Sequence, residues 1–269
     1  MKILFIGDIV GRSGRLIVKT LLPKLREEFS PDVVIANGEN SAAGVGITKR
    51  VYDELMDMGI DVITTGNHVW DRKEFLPDIS SCPNLVRPAN YPEGVPGKGS
   101  EVFSMNGAKY GIINLLGRIF MACVNCPFQA ANSIASKIRS ETPIILVDLH
   151  GEATSEKNAL AWYMDGKVSA VIGTHTHIQT SDERILPKGT AFITDAGMVG
   201  AYDSIIGVQK EQIIKRFLLS IPERFEPEDK GPGLFNGVLI DIDDSGKAKE
   251  IKRVQKIVSD MGDLTQSGI

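Results

Sequence analysis

Short apolar runs alternate along this chain with longer stretches whose apolar positions recur at helical spacing. Lys2–Ile6 has the character of a short buried strand. Ser13–Phe29 follows with Ile17, Leu21, Leu25 and Phe29 on one helical face. Asp32–Ala36 is the next strand, Thr48–Met58 a helix with Gly59 as its stop, and Asp61–Thr65 a third strand. The same rhythm returns at Pro143–Asp148 (strand), Ser155–Met164 (helix) and Val168–Gly173 (strand). This order predicts a layered α/β fold with largely parallel inner strands.

The middle breaks the rhythm. Pro83, Pro88, Pro92 and Pro96 make residues 81–100 an irregular segment. Val102–Met105 and Lys109–Leu115 flank Asn106-Gly107, a strong hairpin turn, and Gly237–Asp243 and Ala248–Val258 flank Asp244-Ser245-Gly246 as a terminal hairpin. The uncharged stretch Ile119–Ser136 holds Asn125, Pro127, Gln129 and Asn132, too polar for a membrane span, and Phe120–Gln129 within it reads as a loop without a strand partner. The expectation is mixed sheets in one compact domain over residues 1–269, with a cap or rim insertion within about 81–135.

Polar residues fall repeatedly just past the carboxyl end of a predicted strand, the edge where open α/β sheets bind ligands. Asp8 follows the first strand, Glu39 and Asn40 the second, and Asn67 and His68 the third. His150 follows the strand ending at Asp148, and His175 and His177 follow the one ending at Gly173. The chain has only four histidines, and all four lie in these segments. Carboxylate, carboxamide oxygen and imidazole together suit Fe, Mn or Zn better than Ca. His175 and His177 flank the small Thr176: on an extended strand both point one way, whereas on a tight loop they diverge towards two metals. His68, beside Asn67, is better placed as a proton donor than as a further ligand.

Composition narrows the classes. The length allows a full hydrophobic core, and 42% apolar with 24% charged residues is ordinary for a soluble protein. A net charge of -4 argues against a nucleic-acid duplex binder, though not against a small anionic substrate once metals reverse the local field. Three cysteines and no secretory signal point to the cytoplasm, with no membrane association. Cys123 and Cys126 have half a zinc-ribbon spacing, but the second pair is missing. The oligomeric state stays open, a homo-oligomer included.

The blocks Gly7-Asp8, Gly38-Glu39-Asn40, Gly66-Asn67-His68, His150 and Gly173-Thr174-His175-Thr176-His177 resemble, in order, those of the calcineurin-like metallophosphoesterases. Val10 stands where that family has the histidine of its first block, and Glu39 where it has the bridging aspartate. These departures, with His150-Gly151-Glu152-Ala153, resemble the bacterial YmdB-type branch. The resemblance implies a layered α/β/β/α sandwich with mixed sheets and two metal ions of the iron type, with Mn or Zn as alternatives. It further implies hydrolysis of a small phosphodiester such as a 2′,3′-cyclic nucleotide, and a role in adaptive gene expression. Carried over by position, it implies that Asp8, Glu39, Asn40 and His177 hold one metal, that Glu39 bridges to a second completed by Asn67, His150 and His175, and that His68 sits beside the scissile phosphate. A phosphomonoesterase or protein phosphatase, or a nucleotide-binding regulator with little catalysis, are the alternative readings.

Overall fold

The computed structural model describes residues 1–262. With strands and helices numbered in chain order, one sheet runs β2 (Asp8–Ile9), β12 (Met198–Ala201), β13 (Gly233–Ile242), β1 (Lys2–Ile6), β3 (Val33–Asn37), β4 (Val62–Thr64) and β5 (Leu85–Val86), with β14 (Ala248–Val258) paired to β13. The other runs β10 (Arg184–Ile185), β11 (Ala191–Ile193), β9 (Ala170–Thr174), β8 (Ile145–His150), β7 (Ala108–Leu116) and β6 (Ser100–Met105). The pairs β1–β3–β4–β5 and β7–β8–β9–β11 are parallel; β13 meets β1, β12 and β14 antiparallel, and β6 meets β7 antiparallel. Both sheets are therefore mixed.

Alternation along the strands creates the layers, because successive side chains leave a strand on opposite faces. Leu4 and Ile6 join Val34, Ala36 and Ile63 under α1 (Gly11–Phe29) and α2 (Lys49–Asp57). Ile3, Phe5, Val33 and Ile35 point the other way, against Ile112, Leu146, Ala170 and Ile172 of the second sheet. Ile145, Val147, Leu149 and Val171 then pack outward on α3 (Pro127–Ile138) and α4 (Thr154–Met164). Three apolar cores separate four layers, the α/β/β/α sandwich.

Most predicted elements fall within a few residues of their observed bounds. Thr48 caps α2 by accepting a hydrogen bond from the Val51 amide at 3.3 Å, and Gly59, at φ 94°, ends the helix as only glycine does without strain. One expectation holds only in part: the loop read at Phe120–Gln129 gives way at Pro127 to α3, which the sequence did not reveal. Its buried residues Ala131, Ala135 and Ile138 recur at helical spacing, but two are only alanine. Within residues 81–100 the chain is irregular apart from the two-residue β5 and short 3-10 turns. A fifth helix, α5 (Lys210–Leu219), follows β12 and precedes an extended return to β13.

Candidate metal centre

The face between the sheets is apolar until the strands reach their carboxyl ends, where it turns polar in register. Asn37 continues the face of Val33 and Ile35; Asp148 and His150 continue that of Leu146; Thr174 continues that of Ala170 and Ile172. All four polar residues are buried. The segments after β1, β3, β4, β8 and β9 thus meet at one rim, and the structure brings together every residue singled out there.

Two groups form around one carboxylate oxygen. Glu39 Oε1 lies 2.9 Å from His150 Nε2. The same nitrogen is 3.1 Å from Asn67 Oδ1 and 3.0 Å from His175 Nδ1. On the other side Asn40 Nδ2 is 3.2 Å from Glu39 Oε1 and 3.2 Å from His177 Nε2. Asp8 Oδ1 stands 3.9 Å from His177 Nε2 and 3.8 Å from His150 Nδ1. The imidazoles of His175 and His177 therefore diverge. The loop between them carries both residues at positive φ, 100° and 66°, a strained state for side chains other than glycine and typical of functional sites.

The outer nitrogen of each histidine is fixed. His150 Nδ1 is 2.9 Å from Thr174 Oγ1, and that hydroxyl already donates to Asp148 Oδ1 at 2.8 Å, so it accepts from His150. His175 Nε2 faces Glu152 Oε2 at 3.1 Å, and His177 Nδ1 donates to the Ile206 carbonyl at 2.8 Å. The outer hydrogen bonds make each inner nitrogen the one that can offer a lone pair to a metal, as they do in metal-binding histidines. Asp8 Oδ1, fully buried, finds no hydrogen-bond partner among the described residues, although a buried carboxylate oxygen is costly to leave open. These donors fit divalent metals, and Glu39, His150 and His175 alone offer ligand atoms within 4.8 Å of one another.

The protonation equilibria show how strongly the centre calls for positive charge. Burial opposes both charges, yet the Glu39–His150 contact outweighs it: the Glu39 carboxyl falls to about 2 and the His150 imidazole rises to about 9. A proton fills that gap when nothing else does. Burial, helped by the neighbouring His150, lowers His175 to about 3, so its lone pair stays available. Burial raises the Asp8 carboxyl against the pull of His177 and His150, and pushes Asp148 up to about 6.

Glycine at position 66 is what lets the rim close. A Cβ there would lie 2.2 Å from Glu39 Oε2 and 2.3 Å from His150 Cδ2. The chain then enters a 3-10 turn whose His68 amide donates to Glu39 Oε2 at 3.1 Å. The His68 ring stays out of the cluster; its Nδ1 lies 2.7 Å from Asp71 Oδ2. It lines, with Glu39, Asn40, His175 and His177, a cavity of about 470 Å³. Val10 is buried and lines the same cavity, where the related blocks have an imidazole. A wider groove of about 920 Å³ between α1 and α2 shares none of these residues.

Behind the histidine loop lies a buried ion pair. Lys157 Nζ contacts Asp195 Oδ2 and the Thr174 carbonyl, each at 2.7 Å. Asp195 Oδ2 also accepts from the Thr176 amide at 3.0 Å and hydroxyl at 2.7 Å, and Oδ1 from the Gly197 amide at 2.8 Å. Lys157, Asp71, Asn37 and Thr174 were not singled out from the sequence. Asn37 and Thr174 had a signal, a polar residue on an inward strand position. So did Lys157, in the apolar stripe of Leu160, Ala161 and Met164. Asp71 had none.

Fold and site together define a phosphoesterase with a candidate metal centre. A family model described as YmdB-like protein matches residues 4–254. A 2′,3′-cyclic-nucleotide 2′-phosphodiesterase of Bacillus subtilis is 52% identical over 255 residues, covering 94% of this chain and 96% of that protein. A crystal structure of a hypothetical protein from Thermus thermophilus superposes with TM-score 0.90 at 41% identity, covering 96% and 100% of the two chains. A structure of a novel phosphatase from Mycoplasma pneumoniae gives TM-score 0.89 at 36% identity, covering 96% and 94%. The chain belongs to the YmdB-like family and is a phosphoesterase of that family, with a cluster of donors that fits divalent metal ions. Among the described residues no helix is long and apolar enough to cross a membrane.

Proposed function

We propose that this chain is a dinuclear metal-dependent phosphodiesterase acting on 2′,3′-cyclic nucleotides, with iron as the metal and manganese or zinc as substitutes. The observation that carries this is the pair of ligand groups meeting at Glu39 Oε1, each histidine presenting an inner lone pair fixed from outside. Asp8, Glu39, Asn40 and His177 would hold one ion; Glu39, Asn67, His150 and His175 the other. An Asn40 amide turned by 180° presents its oxygen where the nitrogen now meets His177. The similarity to a 2′,3′-cyclic-nucleotide 2′-phosphodiesterase supports the substrate.

Bound metals would supply charge neutralisation at the phosphate and activation of water for in-line attack. The protein's own work is different. Asp71 accepts from His68 Nδ1 and fixes the ring, which leaves Nε2 as the nitrogen that gives a proton to the departing 2′-oxygen. The resulting 3′-nucleotide leaves as a dianion. Burial of Glu39, Asp8 and His150 keeps bulk water from the ligand atoms. The whole chain acts as one domain, with a cap or rim insertion within about 81–135, and the unpaired Cys82, Cys123 and Cys126 suit the cytoplasm. Control of adaptive gene expression would follow from the level of the nucleotide it removes.

The test combines metal analysis of protein purified without chelators with a panel of cyclic nucleotides and phosphomonoesters. His68→Ala should retain both metals yet lose about 10²–10⁴ in turnover, whereas Glu39→Gln should lose metal as well. Full activity in His68→Ala removes the proton-donor role, one metal per chain removes the dinuclear reading, and faster monoester than cyclic diester hydrolysis favours a phosphatase.

A further inference from the structure

The cavity over His68 has a lining of two kinds. Beside the candidate ligands, and beside Glu152 and Thr176, stand Val45, Ile206, Val208, Phe225 and Pro227, all apolar and none with a side chain able to form a hydrogen bond. The last four come from the segment on either side of α5, which the structure ties down at several points. The Gln209 amide donates to the Glu226 carbonyl at 3.0 Å, the Glu226 amide to Gln212 Oε1 at 2.8 Å, and the Glu228 amide to the Gly207 carbonyl at 2.9 Å. The same segment supplies the Ile206 carbonyl that holds His177. The apolar lining and the carbonyl that holds a candidate metal ligand are thus parts of one braced strap.

Within that strap the Phe225 ring is itself positioned. The Arg216 guanidinium carbon lies 4.8 Å from its centroid, within cation–π range. Phe225 is nevertheless 40% exposed and lines the cavity. A flat aromatic ring, contacted by a cation and partly exposed in the cavity, is a stacking platform for a planar ring. The cavity volume of about 470 Å³ falls in the range of small-molecule sites.

We propose that Phe225, braced by Arg216, is a specificity-determining residue on which the nucleobase of the substrate stacks, so that the enzyme selects nucleotides by the face of the base and not by its edges. This rests on the cyclic-nucleotide reading above and adds to it the means of recognition. An apolar wall cannot read donors and acceptors on a base edge, so adenine and guanine are accepted alike. Purines are preferred over pyrimidines because their rings cover more of the platform.

The experiment compares kcat/KM for 2′,3′-cyclic AMP with that for ethylene glycol cyclic phosphate, which has the same five-membered phosphate ring and no base. In Phe225→Ala the ratio of the two should fall about 5- to 100-fold. Phe225→Leu, which keeps apolar volume, should leave the ratio nearly as low, and Phe225→Trp should restore it. Titrating metal-loaded Phe225→Trp with adenosine 3′-monophosphate should quench fluorescence beyond the wild-type change, a reading that needs no turnover. Melting curves establish that each variant is folded. An unchanged ratio in Phe225→Ala, full recovery in Phe225→Leu, or no extra quenching in Phe225→Trp overturns the proposal. If wild type cleaves the base-free diester but no cyclic nucleotide, the substrate reading fails on its own, and the fluorescence titration still decides whether a base stacks.

Discussion

Replacing Lys157 by methionine keeps most of the side-chain length but removes the only cation beside Asp195 among the described residues. Both side chains are essentially inaccessible, at 1% and 0% exposure, so neither charge is relieved by water. Removing one partner of a buried pair costs ~3–5 kcal/mol, because the surviving charge stays buried. Asp195 retains bonds from the Thr176 amide and hydroxyl and from the Gly197 amide, which places the expectation at the lower end, about 3 kcal/mol. For a chain of this size each kcal/mol moves the midpoint by ~2–4 °C, so metal-free Lys157→Met should melt about 6–12 °C below wild type. Calorimetry or circular dichroism reads the shift. Adding Asp195→Asn removes the stranded charge while keeping an oxygen for Thr176, and should recover part of the loss. The variant should also bind metal more weakly, by about 10- to 100-fold, because the Thr176 loop that sets His175 and His177 is anchored through Asp195. A midpoint within about 2 °C of wild type, or a double variant less stable than Lys157→Met by a full second increment, would show that the pair does not carry the loop.

Other perturbations address the centre directly. Gly66→Ala should fold but lose most metal in elemental analysis, since its Cβ would stand 2.2 Å from Glu39 Oε2 and 2.3 Å from the His150 ring; wild-type metal content would contradict the close approach. Thr174→Val removes the acceptor of His150 Nδ1, and calorimetric titration should find metal affinity about 10- to 100-fold lower. Chelation should lower the melting midpoint of wild type, because a ligand held at about 1,000 times its Kd contributes ~4 kcal/mol. The same chelation should leave Glu39→Gln nearly unmoved.

The sandwich was legible because its strands are buried runs and α1, α2 and α4 follow them as helical stretches. α3 was hidden by its own composition: alanines at two of its inward positions give too little contrast against a polar, uncharged background. α5 does not emerge because its apolar residues face all round, Ile213 inward but Phe217 and Leu218 into solvent. Strands of two residues, such as β2 and β5, are too short to show any period. The ligand-type residues stood out because each follows a strand end and histidine is scarce. Two of the contacts that fix them did not, because the Thr174 hydroxyl beside His150 and the Ile206 carbonyl beside His177 are brought there only by tertiary folding. Asp71 lies three residues from His68, yet it took the 3-10 turn to place the two 2.7 Å apart.

The division of donors between the sheets bears on how the enzyme is made. Carboxylates and amides come from the ends of β1, β3 and β4, the imidazoles of His150, His175 and His177 from β8 and β9, and the nearest members of the two sets, Asn67 and His150, are 83 positions apart. A nascent chain that has released only its first half carries every oxygen donor and no ring nitrogen of the centre. Loading would have to wait until β9 has left the ribosome and docked, so a cell short of metal would accumulate finished, folded and empty protein ready to be charged without new synthesis.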